Sequence, residues 1–497
     1  MDVWQNLVLG FSTAAQPGYL LIAFVGSILG TITGILPGLG PLGAMSILLS
    51  FTLSLDATGS MILFAGIYYG AMYGGSTTSI LLNIPGEAAS VVTCIDGYRM
   101  AQKGRAGAAL AVAAVGSFFA GTVSILALMV AAPLLSNAAL KFGPPEFFAI
   151  GVFGLIMLIR LSEGPLIKSL IMVLLGMAVG TVGLDTLTGV GRFTFGIYDL
   201  GQGIEILPVA MGLFGIAEVL SMSSGKQEGK LFNFRLRELF PTAEEWKRST
   251  LPVIRGSFLG FFIGLIPGPA PVIASFTSYF AEKKLSKHPE EFGHGAIEGV
   301  AGPESANNAA VGGAYVPLLG LGIPFTPHMA IMLGALMMHG ITPGPSTIQE
   351  KPELFWGLIA SMYIGNIMLL VLNLPLIKVF VSILRVPREI LVPLIVVLCF
   401  TGIYCVNSSY VDLMIMAIFG IAGFALRRLA FEPAPLVLAT VIGPMMEKSL
   451  RQSMKMAQGD VSLIIFRPIC LTLYLAVLCT FILPAVLRWI KKIRTQK

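Results

Sequence analysis

An apolar Gly-Pro segment occurs twice in this chain, as GSILGTITGILPG from Gly26 to Gly38 and as GSFLGFFIGLIPG from Gly256 to Gly268. Seven of the thirteen aligned positions are identical, where chance alone gives about one. A duplicated apolar chain whose two copies each break a helix at Pro-Gly follows the building plan of secondary transporters. Pro removes a backbone donor and Gly permits positive φ, so the chain can turn there and leave backbone groups unpaired. Such groups cannot face lipid and must be buried in protein or line a wet cavity.

The medium follows from composition. The chain has 497 residues, 55% hydrophobic and 12% charged, with a mean hydropathy of +0.85, outside the range of soluble domains. Apolar runs long enough to cross a bilayer recur, for example at 106–135, 355–376 and 468–487. Met1 to Gly10 contains no Lys or Arg, so no secretory signal is expected and the N-terminus is expected to be retained.

The expected fold is an all-α polytopic membrane protein of two inverted-topology repeats with about 10 to 12 membrane segments. Each repeat would hold a re-entrant helical hairpin and a broken transmembrane helix. The expected organisation is a first repeat over 1–221, a cytoplasmic connecting loop over 222–250, a second repeat over 251–450, and a terminal helix with basic tail over 451–497. Lys226, Lys230, Arg235, Arg237, Lys247 and Arg248 place that loop in the cytoplasm by the positive-inside rule, and Arg488, Lys491, Lys492, Arg494 and Lys497 place the C-terminus there too. Walking the crossings from a hairpin at 18–55 puts Arg99, Lys103 and Arg105 inside and Asp56, Asp185, Asp199 and Glu205 outside. The segment after Met446 fits worst, since Lys448, Arg451, Lys455 and Arg467 would lie outside.

The eleven residues from Gly26 to Leu36 rise about 16 Å as a helix, roughly half of a hydrocarbon core. This puts the first break near the midplane, with the tips Pro37, Gly38 and Gly40 facing Pro267 and Gly268. A helix starting after the break directs free N–H groups and a positive dipole end into the cavity, which suits an anion. A second element repeats as well: Gly74 precedes Ile84-Pro85 as Gly313 precedes Ile323-Pro324. Before the first of these prolines stand Ser76, Thr77, Thr78, Ser79 and Asn83, and before Gly313 stand Glu304, Ser305, Asn307 and Asn308. Hydroxyls and amides at an unwound helix can hold carboxylate oxygens or a sodium ion, and a sodium site is expected near Thr77, Asn83, Glu304 and Asn308. Serine and threonine can also bond back to their own helix. A carboxylate inside an apolar run is costly unless it is used, although Glu304 could also sit at the cytoplasmic interface.

Other chemistry lacks its residues. Gly38 to Gly43 spells G-x-G-x-x-G but contains Pro41 and follows no strand, and neither G-x-x-x-x-G-K-[ST] nor H-E-x-x-H occurs. An enzyme is not expected, nor any cofactor beyond a coupling cation. The five cysteines have no CxxC spacing and are read as small core residues. His288, His294, His328 and His339 are scattered and receive no role.

The segments LPGLGPLGAMSILL, YYGAMYGGSTTSILLNIPGEAASVVTCIDGYRMAQKGRAGAAL and LIPGPAPVIASFTSYFAEK resemble the large membrane subunit of tripartite tricarboxylate transporters, the TctA family. The resemblance covers nearly the whole chain. It implies a multi-pass permease of the bacterial inner membrane that works with a small four-helix membrane subunit and a periplasmic solute-binding protein. Such a permease imports carboxylates such as citrate with an ion gradient, of sodium or protons. The resemblance also covers Glu87, Asp96, Gly97, Tyr98 and Arg99, as gating or loop-folding residues. Substrate would lie between the two tips, with Ser76 to Ser79, Asn83, Ser305, Asn307 and Asn308 as ligands. A stand-alone ion-coupled carrier or exchanger for another anion, and a channel, are the alternatives.

Overall fold

The structure is a computed structural model that describes residues 3–36, 40–162, 164–185, 188–223, 240–382 and 388–494. Pro37 and Gly38, the loop residues Lys226, Lys230, Arg235 and Arg237, and Lys497 of the tail lie outside the described residues. In chain order the elements are α1 (Val3–Ala14), α2 (Pro17–Ile35), α3 (Gly40–Leu48), α4 (Ala57–Leu82), α5 (Val91–Gln102), α6 (Ala106–Ala139), α7 (Pro144–Leu161) and α8 (Leu166–Gly180). A small antiparallel pair follows, β1 (Gly183–Leu184) with β2 (Gly191–Arg192). Then come α9 (Ile206–Ala210), α10 (Ala217–Ser223), α11 (Ala243–Gly264), α12 (Ala270–Leu285), α13 (Glu298–Leu321), α14 (Pro327–Met338), α15 (Thr347–Glu350) and α16 (Pro352–Asn373). The rest are α17 (Ile377–Ser382), α18 (Arg388–Asn407), α19 (Tyr410–Arg428), α20 (Ala434–Met456), α21 (Ser462–Ile465) and α22 (Pro468–Arg494).

This is an all-α polytopic membrane protein. Helices α2, α6, α7, α16 and α19 are each long and apolar enough to cross a membrane. Helix α2 starts at Pro17, where proline suits the first helical turn. It therefore rises about 28 Å, not the 16 Å counted from Gly26, because the apolar run continues N-terminally through Tyr19 to Val25.

The chain forms two compact units, one of Met1–Asn137 with Glu205–Arg428 and one of Ala138–Ile204 with Leu429–Lys497. In the larger unit the duplicated segments make the same helix crossing twice. A Cβ on Gly26, Gly30 or Gly34 of α2 would overlap the backbone of α4 at the carbonyl oxygens of Leu63, Ile67 and Ala71. On Gly256, Gly260 and Gly264 of α11 it would overlap α13 at those of Gly302, Ala306 and Ala310. The four-residue spacing puts the three glycines of each helix along one face, and backbones this close gain dispersion contact that any side chain would prevent. Both partner helices end in the left-handed conformation, α4 at Asn83 with φ 58° and α13 at Gly322 with φ 73°. Only glycine and, less readily, asparagine adopt it at low cost. The prolines that follow, Pro85 and Pro324, prevent either helix from continuing.

Around the loop that joins α12 to α13, Asp96 of α5 is fully buried. Its Oδ1 accepts from the backbone N–H of Gly293 at 2.9 Å, Gly295 at 2.6 Å and Ala296 at 2.9 Å, and its Oδ2 from the Tyr279 hydroxyl at 2.8 Å. Asp96 is thus a loop-folding residue. Asp96→Ala leaves three backbone donors unpaired and is expected to destabilise the fold by about 3 kcal/mol or more, read as a lower melting temperature of the purified chain. Ion pairs gather nearby. Arg248 bonds Glu298 at 2.8 Å and Glu291 at 2.5 Å, and Arg105 bonds Glu245 at 3.0 Å. The Arg248 hydrogen bond holds the Glu291 carboxyl below the usual glutamate value. The N-terminal end of α6 and the start of α11 therefore lie together.

The smaller unit packs α7, α8, α20 and α22. A Cβ on Gly176 of α8 would overlap the Leu436 carbonyl of α20, so these two helices also meet at backbone distance. Asp185 accepts from Arg192 and, at 2.8 Å, from Arg451, while Glu447 accepts from Arg192 at 2.9 Å. Of the four basic residues that fitted the charge walk worst, two have acidic partners: Arg451 in Asp185 and Glu447, and Arg467 in Glu146 at 2.9 Å.

Candidate functional site

In the second copy the two chain breaks of the larger unit touch. The Gly268 N–H donates to the Phe325 carbonyl at 3.0 Å, joining the α11–α12 break to the α13–α14 break. A Cβ on Gly86 would overlap the Gly34 carbonyl, joining the end of α2 to the turn after α4. Each turn after Pro is then capped in the same way, by the Glu87 side chain accepting from Ala89 N and the Thr326 side chain accepting from Met329 N. Gly268 has φ 132° and is buried with Pro267. Gly40 has φ 56° and opens α3. Gly268→Val is expected to insert normally but to lose at least about 90% of transport, because a β-branched residue cannot adopt that φ without strain. Uptake normalised to inserted protein checks this.

The carboxylate of Glu304 is fully buried in α13. It accepts from Ser76 Oγ of α4 at 2.5 Å, from Thr93 Oγ1 of α5, and from Asn307 Nδ2 at 3.2 Å. Among the described residues no Lys, Arg or His pairs with it. Asn308 Nδ2 donates to Asn307 Oδ1 at 2.6 Å, to Ser117 Oγ of α6 at 2.8 Å and to the Glu304 carbonyl at 3.1 Å. Its Oδ1 is buried without a partner. Four helices thus converge on one acid and two amides.

The other expected ligands scatter by helix face. Thr78 and Ser79 turn back to the Gly75 carbonyl, at 3.2 and 2.9 Å, as hydroxyls in helices often do. Ser305 does the same to Ala301 at 2.8 Å. Thr77 faces a cavity of about 10 Å³ lined also by Tyr73, Ser76, Ser117 and Asn373, room for about one water. Asn83 caps α4 and lines a different, outer cavity of about 480 Å³ with Cys94, Tyr98 and Arg99. The structure therefore brings Ser76, Glu304, Asn307 and Asn308 together, with Thr77 beside them. Thr93 and Ser117 were not foreseen. Each lies about 190 to 210 residues from its α13 partner, and no local pattern marks such a pairing. His328, given no role from the sequence, stacks on Tyr68 with ring centroids 4.1 Å apart.

The sequence matches the model of the tripartite tricarboxylate transporter TctA family over residues 20–438. The chain belongs to the TctA family. It is 51% identical over 473 residues, 95% of its length and 94% of the relative's, to a protein of Agrobacterium vitis described as an uncharacterized 52.8 kDa protein in the TAR-I ttuC′ 3′ region. A second Agrobacterium vitis protein, an uncharacterized protein in the TAR-II ttuC′ 3′ region, is 50% identical over 214 residues, 43% of this chain and 88% of that protein. No solved structure matches the chain. Membership in TctA makes this a transporter subunit of a multi-component system, and both the doubled crossing and the Glu304 cluster lie wholly within the matched segment.

Proposed function

We propose that this chain is the large permease subunit of a secondary importer for small organic carboxylates, citrate or related tri-, di- or monocarboxylates, in the bacterial inner membrane. It works by alternating access between inverted repeats, with its C-terminus in the cytoplasm. A periplasmic binding protein delivers the substrate, a small four-helix membrane subunit completes the complex, and a sodium or proton gradient supplies the energy. The observation that carries this reading is the Glu304 carboxylate, fully buried with hydroxyl and amide partners and no basic one among the described residues. A bare negative charge in such a place costs several kcal/mol, and a proton or a sodium ion removes that cost. The free Asn308 Oδ1 and the Glu304 oxygens are the hard oxygen donors a sodium ion takes.

Cation and anion then belong to one cycle. The cation neutralises Glu304, and the loaded site can close without a buried net charge. The repeated breaks at Asn83–Pro85 and Gly322–Pro324 are the places where the chain can bend as access changes. Reconstitution of the complex with labelled citrate and a panel of di- and tricarboxylates, with and without the binding protein, tests this assignment. Uptake that requires the binding protein supports the tripartite importer. Equal uptake without it assigns a stand-alone carrier instead.

A further inference from the structure

The cavity of about 10 Å³ that Thr77 faces has a wall drawn from three long helices. Its polar residues are Tyr73, Ser76 and Thr77 of α4, Ser117 of α6 and Asn373 of α16, and the rest of the wall is apolar, with no Asp, Glu, Lys, Arg or His among the described residues. Three of the hydroxyl protons are spent on other oxygens. Tyr73 donates to Asn366 Oδ1 at 2.8 Å, Ser76 to Glu304 Oε2 at 2.5 Å, and Ser117 to the Glu304 carbonyl at 3.3 Å, which leaves each oxygen with lone pairs to offer. Asn373 is 3% exposed. Its Nδ2 donates to the Leu369 carbonyl at 3.0 Å, so turning the amide over would set two oxygens against each other, and the place of Oδ1 is fixed. That Oδ1 is buried without a partner, an exception that asks for a reason. The cavity is therefore rich in acceptors and poor in donors, and through Ser76 it stands one hydroxyl away from the Glu304 carboxylate.

We propose that this cavity seats the coupling cation as a dehydrated sodium ion, held by Asn373 Oδ1 and the hydroxyl oxygens of Ser76, Thr77 and Ser117, with Glu304 as its counter-charge. This deepens the importer reading and rests on it, and it selects sodium over the proton. Size supports the choice, because room for about one water suits a bare ion with direct ligands and excludes a hydrated one. Uncharged oxygens are the ligands that a hard cation takes. A proton would sit on Glu304 itself and leave Asn373 Oδ1 unsatisfied. Because the ligands come from α4, α6 and α16, the ion ties these helices together, and the Ser76 oxygen touches both the ion and the acid that balances its charge.

Thr77→Val and Asn373→Leu test this, since each keeps nearly the same volume and removes one ligand oxygen. The complete complex is titrated with sodium chloride, with potassium chloride holding the ionic strength constant, and the melting temperature and the rate of uptake are both followed. Sodium is expected to raise the melting temperature of the wild type, and potassium is not. In each variant the sodium concentration giving half the effect is expected to rise at least about tenfold, the scale of one lost contact to a charged group. Should Asn373→Leu fail to assemble, Thr77→Val decides alone. An unchanged sodium dependence in the variants would overturn the proposed seat while leaving a sodium-driven importer. Uptake driven by a proton gradient, with no effect of sodium on the wild type, would overturn it and leave the importer reading intact. Equal stabilisation by potassium would overturn it as well, as a general effect of salt. Failure of both gradients to drive uptake by the wild type would remove the importer reading itself, on which this one rests.

Discussion

Glu304→Gln is expected to lower gradient-driven accumulation of substrate by about a hundredfold, within the range of ordinary coupling free energies, while leaving the protein folded. Glutamine keeps the shape of the side chain and one oxygen to accept from either Ser76 or Thr93, whose hydroxyls bond different carboxylate oxygens, and the other hydroxyl can turn to accept from the amide N–H. It cannot take up a proton and is a poor ligand for sodium compared with a carboxylate. Because the change also removes a buried charge that has no basic partner, the melting temperature should not fall. Exchange of labelled for unlabelled substrate, which needs no net energy input, is expected to survive. Loss of exchange together with accumulation would assign Glu304 to substrate binding or folding, and full accumulation would remove it from coupling.

The second large effect concerns assembly. Gly30→Val and Gly260→Val place side chains where the carbonyls of Ile67 and Ala306 already stand, and both neighbours are backbone in the middle of long helices. Neither can yield without separating α2 from α4 or α11 from α13. Each substitution is expected to destabilise by more than about 4 kcal/mol, seen as loss of the monodisperse peak in detergent and rapid proteolysis in membranes. Gly18→Ala provides the control, because a Cβ there meets nothing within 4 Å, and it should behave as wild type. Equal damage from the two valine variants would match the equivalent roles of the two crossings.

These two predictions differ in how far they could be read from the chain. The glycines of the crossing were visible as a duplicated pattern, because a close backbone approach imposes the same small residues wherever it recurs. The ends of α4 and α13 were equally visible, since a proline two residues after Asn83 and after Gly322 leaves few conformations open. The site was harder to read. Every residue from Thr58 to Leu81 of α4 is buried, so no amphipathic stripe says which face meets which neighbour, and the row from Ser76 to Ser79 read as one ligand set. On the helix successive residues point about 100° apart, so Ser76 reaches Glu304 while Thr78 and Ser79 bond their own backbone. Thr93 and Ser117 reach the site from other helices, with nothing in the local sequence to mark them. Asp96 falls in the segment that carried the family resemblance, and its contacts show that a loop-folding need can mark a residue as firmly as substrate binding does.

The most direct test of cation-driven import is uptake of labelled carboxylate by proteoliposomes holding the complete complex, with a sodium gradient, a proton gradient or neither imposed across the membrane. Accumulation above the external concentration under one of these gradients, abolished when an ionophore collapses it, is the predicted result. Equilibration to the external concentration and no further, whatever gradient is imposed, would contradict the account and leave a passive pathway in its place.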